Sequence, residues 1–308
     1  MNTKRAALWA LVLPNLMLSR QGRRNGWTLW HVVGAYVMIA LGALVTWEAW
    51  ADIFHIARVD EESSHIYLVP PIVAWLLYVR RERLRYCRPT GQWIGPVVIA
   101  AGWAIASYGY YNSMQSLWHA GSVMVVAGCL LTVLGADVFR RFFPAFAVLM
   151  FLVPVPGMLR QPLALWLQNG LTWMTGIFFN IIGQDVQAFG NTLTINGKPV
   201  QVAEACNGMR MVFTLMMVCI AVGFGTPLKW YVQVLLVPLS IPIALLCNFV
   251  RVVPTVWLFG YASSDVALTF HDIAGWVMIV VGFLLSLGII QMLRWAMLPV
   301  ARYTLAYD

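Results

Sequence analysis

The chain has 308 residues, of which 61% are hydrophobic and only 10% charged, with a mean hydropathy of +0.75 and fifteen tryptophans. That balance excludes a soluble globular protein and points to helices crossing a bilayer, each needing about 20 apolar residues, with tryptophans at the interfaces. The net charge of +8 does not mean nucleic acid: the basic residues cluster in short loops between apolar stretches, as membrane orientation requires, so the expected surroundings are the lipid bilayer.

In chain order, residues 6–18 are apolar, but Pro14 interrupts them and no small-residue cleavage pattern precedes Arg20, Arg23 and Arg24. Residues 1–27 therefore read as an N-terminal interfacial and cytosolic segment rather than a cleaved signal. Eight spans follow, at 28–50, 65–79, 93–111, 116–135, 142–157, 209–225, 230–261 and 273–293, the seventh broken by Pro238, Pro242 and Pro254. Together they form a transmembrane core over 28–295, followed by a cytosolic tail at 296–308. With the N-terminus in the cytosol, this order places 15 of the 20 Lys and Arg on one side, including Arg80 to Arg88 and Arg140-Arg141. The acidic loop from Asp52 to Glu62 falls on the other side.

Two stretches depart from the pattern. Residues 162–182 are apolar, yet Gln168, Asn169, Thr172, Thr175 and Asn180 fall within one arc, so this helix is amphipathic and lies in the interface or lines a polar cavity. Residues 184–203 read as β, with Gly190-Asn191 and Asn196-Gly197 between alternating apolar runs, the signal of a hairpin. The expected fold is thus an all-α polytopic membrane protein of about eight transmembrane helices, with an interfacial amphipathic helix and a small β-hairpin before Cys206.

The chemistry concentrates in Glu204-Ala205-Cys206-Asn207-Gly208-Met209-Arg210, at the mouth of an apolar helix. Asn and Gly are good helix-opening residues, and unpaired N–H groups at a helix N-terminus favour a thiolate. Cys129, Cys219 and Cys247 lie inside apolar spans and behave as small hydrophobes, while Cys87 sits in a basic loop. Cys206 is either a reactive thiol or a structural one, and a disulfide with Cys247 is a further alternative. Arg210 lies four residues after Cys206, hence on the same helix face, a placement suited to lowering the thiol pKa. Arg251 follows Asn248 within a proline-rich span, where an arginine either faces a cavity as an oxyanion donor or snorkels to the headgroups. His271 precedes the last span, and its ordinary pKa near 6.5 suits a general base. Asp272 beside it points to another helix face, and His65 is a second histidine at the outer mouth of the second span. Glu204 is a cap, a charge partner or part of the site. No metal-ligand spacing, nucleotide loop or serine-nucleophile elbow is present, so no cofactor and no metal is expected.

The Cys206 motif, Asn248-x-x-Arg251 and His271 resemble the exosortase/archaeosortase family. The likeness extends to Ser64-His65 ahead of Leu68-Val69-Pro70, to Arg141-Phe142-Phe143-Pro144 and to Val153-Pro154-Val155-Pro156, covering about residues 25–295. A common family form has Ser where this chain has Asn207; both cap helices. The resemblance implies a bacterial inner-membrane, multi-pass cysteine protease or transpeptidase with its site facing the periplasm. Its substrates are membrane-anchored proteins bearing a C-terminal sorting signal: a motif such as Pro-Glu-Pro, a transmembrane helix and a basic tail. Carried over by residue, Cys206 is the nucleophile, Arg251 the anion stabiliser and His271 the acid/base, with Glu204, Asn207, Arg210, Asn248 and His65 in support. An outer-side arginine, Arg160 or Arg210, is expected to read an acidic motif. The rival from another class is a transporter or flippase for a lipid-linked glycan, whose polar residues line a path through helices broken by proline.

Overall fold

Apolar runs punctuated by proline and glycine fold into eleven α-helices and one small sheet among the described residues. The structure, a computed structural model, describes residues 27–89, 93–201 and 208–295. The helices are α1 (Leu29–Val45), α2 (Trp47–Val59), α3 (Val69–Val79), α4 (Ile94–Tyr111), α5 (Gln115–Leu134), α6 (Ala136–Arg141), α7 (Phe143–Leu149), α8 (Gly157–Ile181), α9 (Met209–Gly225), α10 (Trp230–Tyr261) and α11 (Ser264–Trp295). Their outward faces carry large apolar side chains, among them Trp30, Trp103, Trp166, Trp173 and Trp276, all well exposed. In water such a surface would aggregate; against acyl chains it is the required one.

The all-α membrane class stands, but length and composition do not give eight crossings. Three helices, Gln115–Leu134, Trp230–Tyr261 and Ser264–Met292, are long and apolar enough to cross a bilayer, and up to five crossings result if two bent pairs each count as one. The expected span at 28–50 turns by 79° between α1 and α2. At the turn Thr46 Oγ1 donates to the Gly42 carbonyl and Trp50 Nε1 donates back to Thr46 Oγ1, closing off α1. The expected span at 65–79 is a 3-10 turn, Glu61–Leu68, followed by the eleven residues of α3, which Pro70 and Pro71 open. The span at 142–157 stops at Leu152, and the proline-punctuated stretch after it turns the chain by 87° into α8. Conversely, the span expected to be broken, 230–261, is one continuous helix despite its three prolines.

Helix α8 is amphipathic, with part of its polar stripe turned inward and Asn169 and Asn180 exposed. Gln168, Thr172 and Thr175 are buried, whereas Trp166, Trp173, Met174 and Ile181 are exposed. It packs on the sheet through Gly176, where an added Cβ would stand 3.2 Å from the Ala188 side chain. The expected hairpin is a three-stranded antiparallel meander of β1 (Val186–Phe189), β2 (Thr192–Ile195) and β3 (Lys198–Gln201). Asn196 and Gly197 both take positive φ, as a two-residue type I′ turn demands. The sheet docks on the end of α10, with Asn196 Nδ2 donating to the Gly260 carbonyl and Tyr261 donating to Gln184.

Helix α9 is the organiser. Its Met217 and Ile220 join one core with Ile66, Leu76 and Val148, while its Met211, Leu215 and Cys219 join another with Leu236, Ala244 and Cys247 of α10. Seventeen residues make it about 25 Å long, close to a hydrocarbon core. At its C-terminal end Arg80 Nε donates to the Phe224 carbonyl and Arg80 Nη1 to the Arg141 carbonyl, which gathers the basic loops. Near its other end His65 stacks on Phe213, with ring centres 4.9 Å apart, at the level of the acidic loop. The charge asymmetry read from the sequence thus becomes two physical ends.

Candidate active site

The first described residue of the Cys206 motif is Gly208, the residue before α9, with φ +85° and ψ −1°. This left-handed step suits glycine, and the surroundings demand it as well: a Cβ here would stand 2.8 Å from Asn248 Nδ2. Glu204, Cys206 and Asn207 lie outside the described residues. Because α9 begins at Met209, the helical spacing expected between Cys206 and Arg210 does not apply; the left-handed residue separates them.

Asn248 and Arg251 are one turn apart on α10 and almost completely buried, at 0% and 1% exposure. Counting from Trp230, Arg251 lies about 32 Å along the helix. That is one hydrocarbon thickness from the basic end, which puts it at the opposite mouth. Thr255 Oγ1 donates to the Arg251 carbonyl at 2.8 Å, helping to fix this turn. An arginine this buried does not snorkel to the headgroups.

The partner surface comes from α11. A Cβ built on Gly275 would lie 3.2 Å from Arg251 Nη1 and 3.3 Å from Arg210 Nη2. The two guanidinium groups therefore converge on one bare patch of helix backbone. His271 is one turn earlier on α11, buried on the face that also carries Ala267 and Ala274, while Asp272 is exposed. Arg210, Asn248 and Arg251 thus gather near the point where the chain leaves Gly208, with His271 one turn from Gly275 on α11. Two converging guanidinium groups can hold an anion, and an imidazole one turn away can exchange a proton.

His65 occupies a neighbouring cleft of about 210 Å³, lined also by Met150, Phe151, Val153, Val155 and Phe213. Its Nδ1 donates to the Glu62 carbonyl at 2.9 Å, so the ring is oriented. Arg160 does not stand open to a substrate: its Nη1 lies 2.9 Å from Asp60 and 3.0 Å from Glu62. Between the two arginines expected to read an acidic motif, only Arg210 converges on the site.

Cys87, Cys129, Cys219 and Cys247 are all buried free thiols. Cys247 packs toward Gly282 of α11, which removes the disulfide alternative for it. Burial pushes the Cys87 thiol up to about 11. Sequence reading passed over two features. Gly275, four residues after His271, carried the signal of a glycine inside an apolar helix, which marks a close approach. His119, fully buried in α5 with Nε2 3.0 Å from Asp52 Oδ2, carried the signal of a histidine within a span.

Searches of curated proteins and of solved structures return no match to this chain. Residues 50–288, most of the chain, match the family described as transmembrane exosortase (Exosortase_EpsH), and with its apolar helices and converging polar site the chain belongs to that family of multi-pass membrane proteins.

Proposed function

We propose that this protein is a membrane-embedded cysteine protease or transpeptidase that cuts proteins at a C-terminal sorting signal, with 28–295 as the catalytic core. The observation that supports the reading is the convergence of Arg251 and Arg210 on Gly275, one turn along the helix from the buried His271 and beside the chain segment that leads to Cys206. Covalent geometry keeps Cys206 within about 7 Å of Gly208, which itself rests on Asn248. His271 takes the Cys206 proton, and the thiolate attacks the scissile carbonyl. Arg251 holds the oxyanion of the tetrahedral intermediate. On collapse the C–N bond breaks, His271 returns the proton to the leaving amine, and a thioester remains for a second nucleophile. Asn248 and Asn207 position the turn, Glu204 sets the charge beside it, Arg210 receives an acidic side chain of the signal, and His65 lines the cleft beside it. The site faces the periplasm of a bacterial inner membrane, opposite the basic loops.

The test is co-expression with a signal-bearing membrane protein, comparing the wild-type chain with Cys206→Ser and reading the new C-terminus of the product by mass. A thioester route predicts a trimmed product with the wild-type chain and little with the variant. A flippase with the same lining tolerates Cys206→Ser, and unchanged processing in that variant overturns the proposal.

A further inference from the structure

A second cavity lies away from the proposed catalytic end. It has a volume of about 370 Å³, lies at the basic end of the molecule, and is lined by Arg83, Asp137, Arg140 and Arg141. Three cations and one carboxylate give the lining a net positive charge. Arg83 is 8% exposed and thus held inside the wall. Among the described residues no carboxylate comes within ion-pairing distance of Arg140 or Arg141, although Asp137 is on the same short helix.

The wall is built rather than accidental. Arg80 fixes it from behind through the Phe224 and Arg141 carbonyls. Cys87, Val138 and Phe142 form a small core beneath it, and Trp27 Nε1 donates to the Leu84 and Cys87 carbonyls. Crowding of cations is already visible there: burial, then the like charge of Arg83, pushes Arg80 down to about 10. Bringing these arginines together is unfavourable unless an anion occupies the space between them.

The setting identifies the source of the anion. The guanidinium of Arg141 sits 5.8 Å from the Tyr86 ring centre. Tyr78, Tyr86 and Phe143 are exposed around the same end, the aromatic girdle of a headgroup layer. The apolar outer face of α3, with Trp75 and Leu77 exposed, runs away from it into the hydrocarbon. A basic tail of a protein substrate is repelled here, and a soluble anion has no use for the aromatic rim.

We propose that this cavity holds the phosphate of an anionic phospholipid headgroup, with its acyl chains along the outer face of α3. Basic pockets between helices at the cytoplasmic face of membrane proteins bind such lipids. This site is independent of the thiol chemistry and is tested by binding, with no processing assay.

The experiment uses the full chain in nanodiscs of phosphatidylcholine containing a small fraction of phosphatidylglycerol, with retained lipid counted by native mass spectrometry after release. The wild-type chain should retain phosphatidylglycerol over phosphatidylcholine. R140Q/R141Q should bind it about tenfold more weakly or worse, and R140K/R141K should keep most of the affinity. Asp137→Asn, which removes the lone carboxylate, should bind it more tightly, an increase that a misfolded variant does not produce. Equal retention of the two lipids, or unchanged affinity in both R140Q/R141Q and Asp137→Asn, overturns the proposal. So does displacement of the lipid by millimolar inorganic phosphate, which would assign the cavity to a soluble anion.

Discussion

Replacing Gly275 with alanine adds one methyl group at the point where the two guanidinium groups converge. That carbon would stand 3.2 Å from Arg251 Nη1 and 3.3 Å from Arg210 Nη2, tighter than ordinary contact, so one or both must move by a few tenths of an ångström. Arg210 is only partly buried and can yield, whereas Arg251 is 1% exposed and has no room to do so. Overpacking of this kind costs about 1–3 kcal/mol, and here it falls on the position of the oxyanion donor. Each ~1.4 kcal/mol of lost transition-state stabilisation is about tenfold in rate, so processing should fall about ten- to a hundredfold. Helix propensity acts in the opposite direction, because alanine is favoured over glycine in a helix interior by about 1 kcal/mol. Stability should therefore fall by no more than about 2 kcal/mol while activity falls. The assay is the rate of substrate trimming, normalised to folded protein, beside a thermal-unfolding midpoint. Gly288→Ala on the same helix, where no atom lies within 4 Å of the new Cβ, is the control and should be active. Wild-type processing in Gly275→Ala, or an equal loss in Gly288→Ala, refutes the reasoning.

Gly208→Ala meets two obstacles, a left-handed backbone that costs about 1–2 kcal/mol and a Cβ 2.8 Å from Asn248 Nδ2. It should lose at least tenfold activity, and combining it with Asn248→Ala should cost less than the two single losses together, measured as a double-mutant cycle. Arg251→Lys keeps the charge but loses the planar fork, so processing should drop at least tenfold; near-normal turnover counts against anion stabilisation. Native alkylation in detergent at pH 8 should modify Cys206 and spare Cys87, Cys129, Cys219 and Cys247, which are buried, the Cys87 thiol being held near 11 as well. Peptide mass mapping checks this, and rapid labelling of any of those four contradicts it.

The sequence carried the class of this protein and most of its polar site because both rest on local signals. Apolar runs demand a bilayer, and Arg251 and His271 are conspicuous in or beside spans where polar groups are expensive. Crossing number was not legible in the same way. A hydropathy window reads straight through Thr46 and the Val153-Pro154-Val155-Pro156 stretch, where the chain turns by 79° and 87°. Proline misled in the other direction at α10, which stays helical through Pro238, Pro242 and Pro254. The amphipathic arc of α8 was visible, but not that part of its polar side faces inward, since that depends on the sheet and α10 packed against it. Arg160 looked open to a substrate because its partners, Asp60 and Glu62, lie about a hundred positions away in sequence. The basic cavity was hidden similarly: Arg83 and Arg140-Arg141 read as two orientation signals until Arg80 tied their loops together.

The most direct test of the thiol mechanism is a covalent one. Purified protein incubated with a signal-bearing substrate and quenched in acid should carry the N-terminal acyl portion of the substrate on Cys206 as a hydroxylamine-labile thioester seen by intact mass. Cys206→Ala should carry none and should trim nothing. An adduct on another residue, or trimming that persists in Cys206→Ala, contradicts the account.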